Sequence, residues 1–226
     1  MTTYLIAGAN RGIGLAMTRH TLSLGHAVIA TARRPDAATD LKALKGDLSI
    51  RTLDVTDQSS LDAFASATPE TIDVAVLNAG ILNSRGSLES PDHTIEAWRN
   101  VLMTNVAGPF LTARAILPNL LRSQSPKIAI ISSNMGSSAT ASGTAYSYRA
   151  SKAGANNVAA NLAAELSPRG IAVGTYHPGW VRTDMGGQSA DVSAEESAAG
   201  LLDRFDALSL ETTGVFESYS GKSLIF

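Results

Sequence analysis

Tyr148 and Lys152 stand four residues apart in an alanine-rich stretch, Tyr146 to Leu166, that is closed by Ser167-Pro168-Arg169-Gly170. Read as a helix, this spacing puts both side chains on one face, one turn apart. A phenol ordinarily titrates near pH 10, so proton exchange near neutrality calls for a neighbouring cation that favours phenolate. Lys152 is the candidate cation. Tyr146 serves as a control, because the residue four further on is Ala150 and carries no charge. The pair points to a tyrosine that passes a proton to or from a bound reactant.

A second cluster lies near the start of the chain. Gly8-Ala9-Asn10-Arg11-Gly12-Ile13-Gly14 separates the apolar run Tyr4–Ala7 from Ile13–Leu24, which has helical spacing. In a strand–loop–helix unit, Gly8 permits the tight turn, Gly12 lets the backbone approach a diphosphate, and Gly14 lets the helix pack on the strand. The helix N-terminus then presents free N–H groups and a positive dipole end to the anion. This context predicts a dinucleotide site. The spacing is Gly-x-x-x-Gly-x-Gly, and no Lys-Ser or Lys-Thr follows, which disfavours ATP or GTP chemistry. After the second apolar run comes Thr31-Ala32-Arg33-Arg34-Pro35. No carboxylate stands at the strand end to accept from a ribose 2′-hydroxyl, and Asp36 falls beyond Pro35. Arg33 suits a 2′-phosphate, with Arg11 as a second cation. NADP(H) is therefore expected in preference, with NAD(H) as the other candidate.

The elements that must position these groups alternate. Apolar runs at Tyr4–Ala7, Ala27–Ala30, Leu48–Leu53, Ile72–Leu77, Lys127–Ile131, Ile171–Tyr176 and Val215–Tyr219 read as strands. Helical patterns cover Ile13–Leu24, Leu61–Ala67, Thr94–Leu121, Tyr146–Leu166 and Glu195–Phe205, with Pro109 expected to kink the long one and Pro118 to stop it. Strands that are apolar throughout and separated by helices predict an α/β class: one doubly wound parallel sheet in three α/β/α layers, a single domain over 1–226. The polar segment Gly186–Ala194 reads as a lid or as a plain surface loop. Hydrophobic residues make up 44% of the 226 and charged residues 17%, enough apolar character for a sizeable core. Eighteen basic against 20 acidic residues exclude the basic excess of a nucleic-acid binder. With no cysteine, thiolate metal sites, disulfides and Cys nucleophiles are ruled out. The four histidines lack metal-ligand spacing, so no metal is expected. No apolar run approaches the roughly 18 residues of a membrane span, and a cytoplasmic protein is expected. Small residues Ala153, Gly154, Ala155, Ala159 and Ala160 offer a smooth helix face for a second copy.

Taken in order, the glycine loop, Asp54-Val55, Asn78-Ala79-Gly80, Asn105, Ser133, Tyr148-Arg149-Ala150-Ser151-Lys152 and Pro178-Gly179 with Thr183 resemble the short-chain dehydrogenase/reductase family over nearly the whole chain. The stretch His177–Gly187 and the brief C-terminus resemble its short bacterial members akin to C-factor and the small carbonyl reductases. The resemblance implies a Rossmann fold and hydride transfer between a nicotinamide and a small carbonyl or alcohol substrate. It implies that Tyr148 is the general acid or base and that Lys152 also holds the nicotinamide ribose. Ser133, the second of the pair Ser132-Ser133, would orient the substrate oxygen, with Ser132 structural. Asn105 would hold a local helix distortion and a water linked to the lysine. Cofactor contacts are implied for Gly8, Asn10, Arg11, Gly12, Ile13 and Gly14. Asp54 and Val55 would meet the adenine, and Asn78, Ala79 and Gly80 its ribose. Pro178, Gly179, Val181 and Thr183 would hold the carboxamide end. A homodimer or homotetramer is implied as well. The C-factor likeness carries an alternative, an NAD(P)-binding signalling protein whose turnover is incidental.

Overall fold

A computed structural model describes residues 1–226. The strands are β1 (Thr3–Ala7), β2 (Ala27–Ala32), β3 (Leu48–Thr52), β4 (Val74–Leu77), β5 (Lys127–Ile131), β6 (Ala172–His177) and β7 (Phe216–Ser218). They form one sheet in the order β3-β2-β1-β4-β5-β6-β7, every pairing parallel. Alternate residues of a strand point to opposite faces, and both faces here are covered. In β5, Ile128 and Ile130 enter one core, while Ala129 and Ile131 enter the other. The first core lies under α3 (Gln58–Ser66), α5 (Gly108–Leu120) and α6 (Tyr146–Leu166); the second lies under α1 (Gly12–Ser23) and α7 (Ala194–Ala207). Two short helices complete the set, α2 (Thr39–Lys42) and α4 (Ile95–Leu102). The expected doubly wound, three-layer single domain is what forms. No helix is long and apolar enough to cross a membrane.

Caps set the boundaries of α3, α4 and α7. Asp57 accepts from the Ser59 N–H at 2.9 Å, Thr94 from Ala97 at 3.1 Å and Ser193 from Glu196 at 3.0 Å. The stretch Thr94–Leu121 departs from one kinked helix. It divides into α4, a single π-helical turn at Met103–Ala107, and α5. Pro109 has no N–H to offer the Asn105 carbonyl, and the Gly108 N–H reaches back to the Met103 carbonyl, which widens the turn. Pro118 does not stop α5, which continues to Leu120. The carbonyl it leaves unpaired belongs to exposed Arg114 and can meet water.

The small-residue face of α6 is largely used within the chain. Ala155 and Ala159 are buried in the first core, and a side chain at Gly154 would press on Val106 at 3.0 Å; Ala153 and Ala160 are exposed. Segment 186–194 is tied down. The Arg182 N–H donates to the Val192 carbonyl and the Val192 N–H to the Trp180 carbonyl, and the Arg182 guanidinium donates to the carbonyls of Ala190 and Asp191 at 2.9 Å each.

Candidate active site

Strand order reverses between β1 and β4, and ligands of open α/β sheets bind beyond the strand ends at such a switch. A crevice of about 870 Å³ lies there, running from the glycine loop to Tyr148 and Lys152. At one end Gly8 has φ +74°, and a Cβ on Gly14 would sit 2.2 Å from the Gly8 carbonyl oxygen. The turn and the helix start therefore admit no side chain at these positions. Asn78 braces the loop by donating to the Gly8 and Ala7 carbonyls at 2.9 and 3.3 Å. Helix α1 has no side-chain cap and no acid in its first turn, so its leading N–H groups face the crevice without a competing anion of their own.

Further along the wall lie Arg33 and Arg34, neither paired with a carboxylate. Asp36 is held by Lys42 at 3.6 Å. Arg11 pairs with Asp184 at 2.9 Å across the crevice, an exposed contact of the kind worth at most about 1 kcal/mol and readily exchanged for a phosphate. Asp54 also lines the wall, with one oxygen accepting from the N–H and hydroxyl of Thr56. These groups fit a dinucleotide with a 2′-phosphate: open N–H donors for a diphosphate at one place and two unneutralised guanidiniums at the other.

At the opposite end, β5 and α6 are stitched together. The Lys152 ammonium donates to the Ile131 carbonyl at 2.8 Å, and Ser132 donates to the Lys152 carbonyl at 3.2 Å. Lys152 Nζ lies 5.6 Å from the centre of the Tyr148 ring. Both residues are buried, at 5% and 8% exposure. Ahead of them Ala145 takes a left-handed conformation, φ 52°, strained for a residue with a Cβ. Its N–H donates to the Gly86 carbonyl at 3.1 Å, which fixes where α6 starts.

Burial dominates the electrostatics of the pair. Burial pushes the Tyr148 phenol up to about 12, with the Ser133 hydroxyl and the Arg85 charge pulling it partly back. Burial also pushes Lys152 down to about 8. Loss of hydration is the largest influence on each of the two groups. At neutral pH the protein holds a phenol beside an ammonium. His177, at the end of β6, is pushed down to about 4 by burial and by the Lys152 charge, and is neutral.

A family model described as short chain dehydrogenase matches residues 2–193. The chain belongs to the short-chain dehydrogenase/reductase family. It is 35% identical over 234 residues to a 1-hydroxy-2-glutathionyl-2-methyl-3-butene dehydrogenase of a Rhodococcus species, covering 99% of each chain. It is 36% identical over 151 residues to the C-signal protein of Myxococcus xanthus, covering 66% of this chain and 90% of that one. An NADPH-bound carbonyl reductase from chicken fatty liver superposes with a TM-score of 0.92 at 32% identity, over 100% of this chain and 99% of the other. This family member is an oxidoreductase by kinship, and its crevice brings most of the expected residues together.

Four expected residues are not among those that line the crevice: Asn105, Ser133, Gly179 and Val181. Asn105 is fully buried. It donates to the Ile81 carbonyl and the Ser151 hydroxyl and accepts from the Ile81 N–H, all at 2.9 Å. It thereby shapes the loop after β4, and its amide makes no bond to Lys152. Ser133 caps the turn that follows, accepting from the Met135 N–H at 3.1 Å, with its hydroxyl beside the phenol. Val181 pairs with Val192, and Gly179 turns the chain beneath Tyr219. Trp180 donates to the Gly186 carbonyl at 2.8 Å and stays outside the crevice. Residues that the sequence did not single out also line it, among them Arg34, Thr56, Asn83, Asp184 and Met185. Arg34 and Thr56 neighbour expected residues, and Asp184 and Met185 fall within the stretch His177–Gly187; Asn83 has no local pattern that marks it.

Proposed function

We propose that this oxidoreductase reduces the carbonyl group of small aldehydes and ketones with NADPH, and runs as an alcohol dehydrogenase in reverse. One observation carries the reading: a single crevice joins an anion-binding glycine turn and two free arginines to a buried phenol–ammonium pair. Bound there, the cofactor supplies the hydride. Gly8, Asn10, Arg11, Gly12, Ile13 and Gly14 would cradle its diphosphate, Arg33 and Arg34 its 2′-phosphate, and Asp54, Val55, Asn78, Ala79 and Gly80 its adenosine. Pro178 and Thr183 would bound the nicotinamide end, with Gly179 and Val181 shaping the turn behind them. NADH is the weaker candidate, since no free carboxylate stands at the end of β2. The chicken relative's bound NADPH supports the same choice.

Tyr148 holds the proton that a carbonyl oxygen needs as it gains negative charge. A phenol titrating near 12 is a weak acid in isolation, yet an alkoxide is far more basic, so transfer to it runs downhill. Lys152 then stabilises the phenolate left behind; two of its three N–H donors remain for the cofactor ribose and for a relay. Ser133 steadies the substrate oxygen from the other side. Asn105 is a positioning residue that acts through Ile81. A cellular NADPH pool held reduced would favour reduction. A homodimer or homotetramer accompanies this reading, to be checked by light scattering; a monomer in solution would remove it.

The test is NADPH oxidation against a panel of aldehydes and ketones, with NADH alongside. Tyr148→Phe should keep cofactor binding and lose about 10²–10⁴-fold in turnover. Protein that binds neither cofactor, or unchanged turnover in the variant, would end the reading. The C-signal relative favours a second reading, a signalling protein that binds NAD(P). A biological output that survives Tyr148→Phe but is lost in Gly12→Asp would establish it.

A further inference from the structure

Arg85 lies in the loop after β4, two residues beyond Asn83, which lines the crevice. Its guanidinium crosses to the opposite wall and donates to the carbonyl of Met185, a second lining residue. Its neighbour Gly86 holds the Ala145 N–H at the head of α6, three residues before Tyr148. The loop is thereby fastened to both sides of the mouth, and Arg85 itself is exposed just beyond the residues that line the crevice. It is also unneutralised. The five ion pairs of the protein involve other residues, and the Met185 carbonyl is the sole acceptor that Arg85 meets. A guanidinium carries five N–H donors in a planar fork that matches a carboxylate in two-point fashion, and only one Arg85 nitrogen is engaged within the protein. Its positive charge acts on the Tyr148 phenol, drawing it back toward its ordinary range.

We propose that Arg85 is the substrate-anchoring residue of this site and selects carbonyl compounds that carry a carboxylate, namely formyl and oxo carboxylic acids. A substrate whose carbonyl oxygen sits at Tyr148 extends toward the mouth, and an acid group on its far end meets the guanidinium. Neutral carbonyl compounds of the same shape bind without that contact. The proposal rests on the carbonyl-reductase reading.

The test compares 4-carboxybenzaldehyde with its methyl ester, methyl 4-formylbenzoate, under saturating NADPH. Two substitutions are made, Arg85→Ala and Arg85→Gln; the glutamine keeps an N–H for the Met185 carbonyl but has no charge. The readout is the acid-to-ester ratio of kcat/KM, which cancels any general effect of the change on Tyr148. The wild type should prefer the acid, and both substitutions should lower the ratio about tenfold or more, the scale of a charge-assisted hydrogen bond. The same ratio in all three proteins would overturn the proposal while leaving the reductase reading intact. A loss in Arg85→Ala that Arg85→Gln restores would also overturn it, because the residue would then be a neutral strap. Wild-type protein that reduces neither aldehyde while reducing other members of the carbonyl panel would overturn the proposal alone; inactivity on the whole panel would overturn both readings.

Discussion

Replacing Lys152 by methionine should change the pH dependence of folding stability in a defined way. The side chain is buried at 5% exposure, with its ammonium on the Ile131 carbonyl. Burial moves its proton release from 10.5 to about 8. At about 1.4 kcal/mol for each tenfold, keeping the charge in the folded protein costs roughly 3 kcal/mol. Below pH 8 folded and unfolded chains both carry the proton, so the whole cost is present. Between 8 and 10.5 the unfolded chain holds a proton that the folded chain has released, so stability rises with pH across that window. Above it the cost is gone. Methionine has no such term. Urea unfolding of both proteins at about pH 7 and about pH 9.5 should show the wild type gaining about 2 kcal/mol on the variant, roughly 4–8 °C in Tm for a chain of this size. Taking the difference removes other titrations in the range, including those of the buried tyrosines. The hydrogen bond to Ile131 also cancels, since a neutral amine still donates. The variant should lack reductase activity at every pH. A stability difference that stays constant over this range would refute the reasoning, by showing that the ammonium is hydrated or paired in solution.

Two further outcomes follow from the site. Arg33→Ala should raise the KM for NADPH about tenfold or more and leave the KM for NADH nearly unchanged, because a 2′-phosphate is the group its fork would hold; an equal rise for both cofactors would place the 2′-phosphate elsewhere. The serine pair should separate in turnover: each alanine should cost about 1 kcal/mol of stability, Ser132 through its lost bond to the Lys152 carbonyl and Ser133 through the lost bond from the Met135 N–H, whereas only Ser133→Ala should lower kcat markedly, measured by thermal unfolding and NADPH oxidation.

The fold was legible because its signals are local and repeated. A strand covered on both faces must be apolar at every position, and β5 displays this in Ile128–Ile131, where alternate residues enter opposite cores. The glycine turn was legible for a similar reason: Gly8 and Gly14 are demanded by backbone approach within one strand–loop–helix unit. The Tyr148–Lys152 spacing needs only one helical turn to bring the two side chains together. Even the break near Asn105 had a local cause in Pro109, although its form as a π-helical turn was not legible; that required the Gly108 N–H to find the Met103 carbonyl.

Tertiary structure decided what depends on contacts between distant segments. Nothing near Asn105 in sequence announces Ile81 and Ser151 as its partners, and nothing near Arg85 announces Met185, a hundred residues on. The smooth face of α6 became an internal contact because Val106 and the sheet arrived there first. Acidity changed most. Spacing alone pairs a phenol with a cation and suggests an easy phenolate, whereas packing removes water from both and leaves a protonated tyrosine beside a weakened ammonium. Spacing is a property of the chain, and hydration is a property of the folded volume, so the sequence shows the phenol and the amine as neighbours and the fold sets how readily each holds its proton.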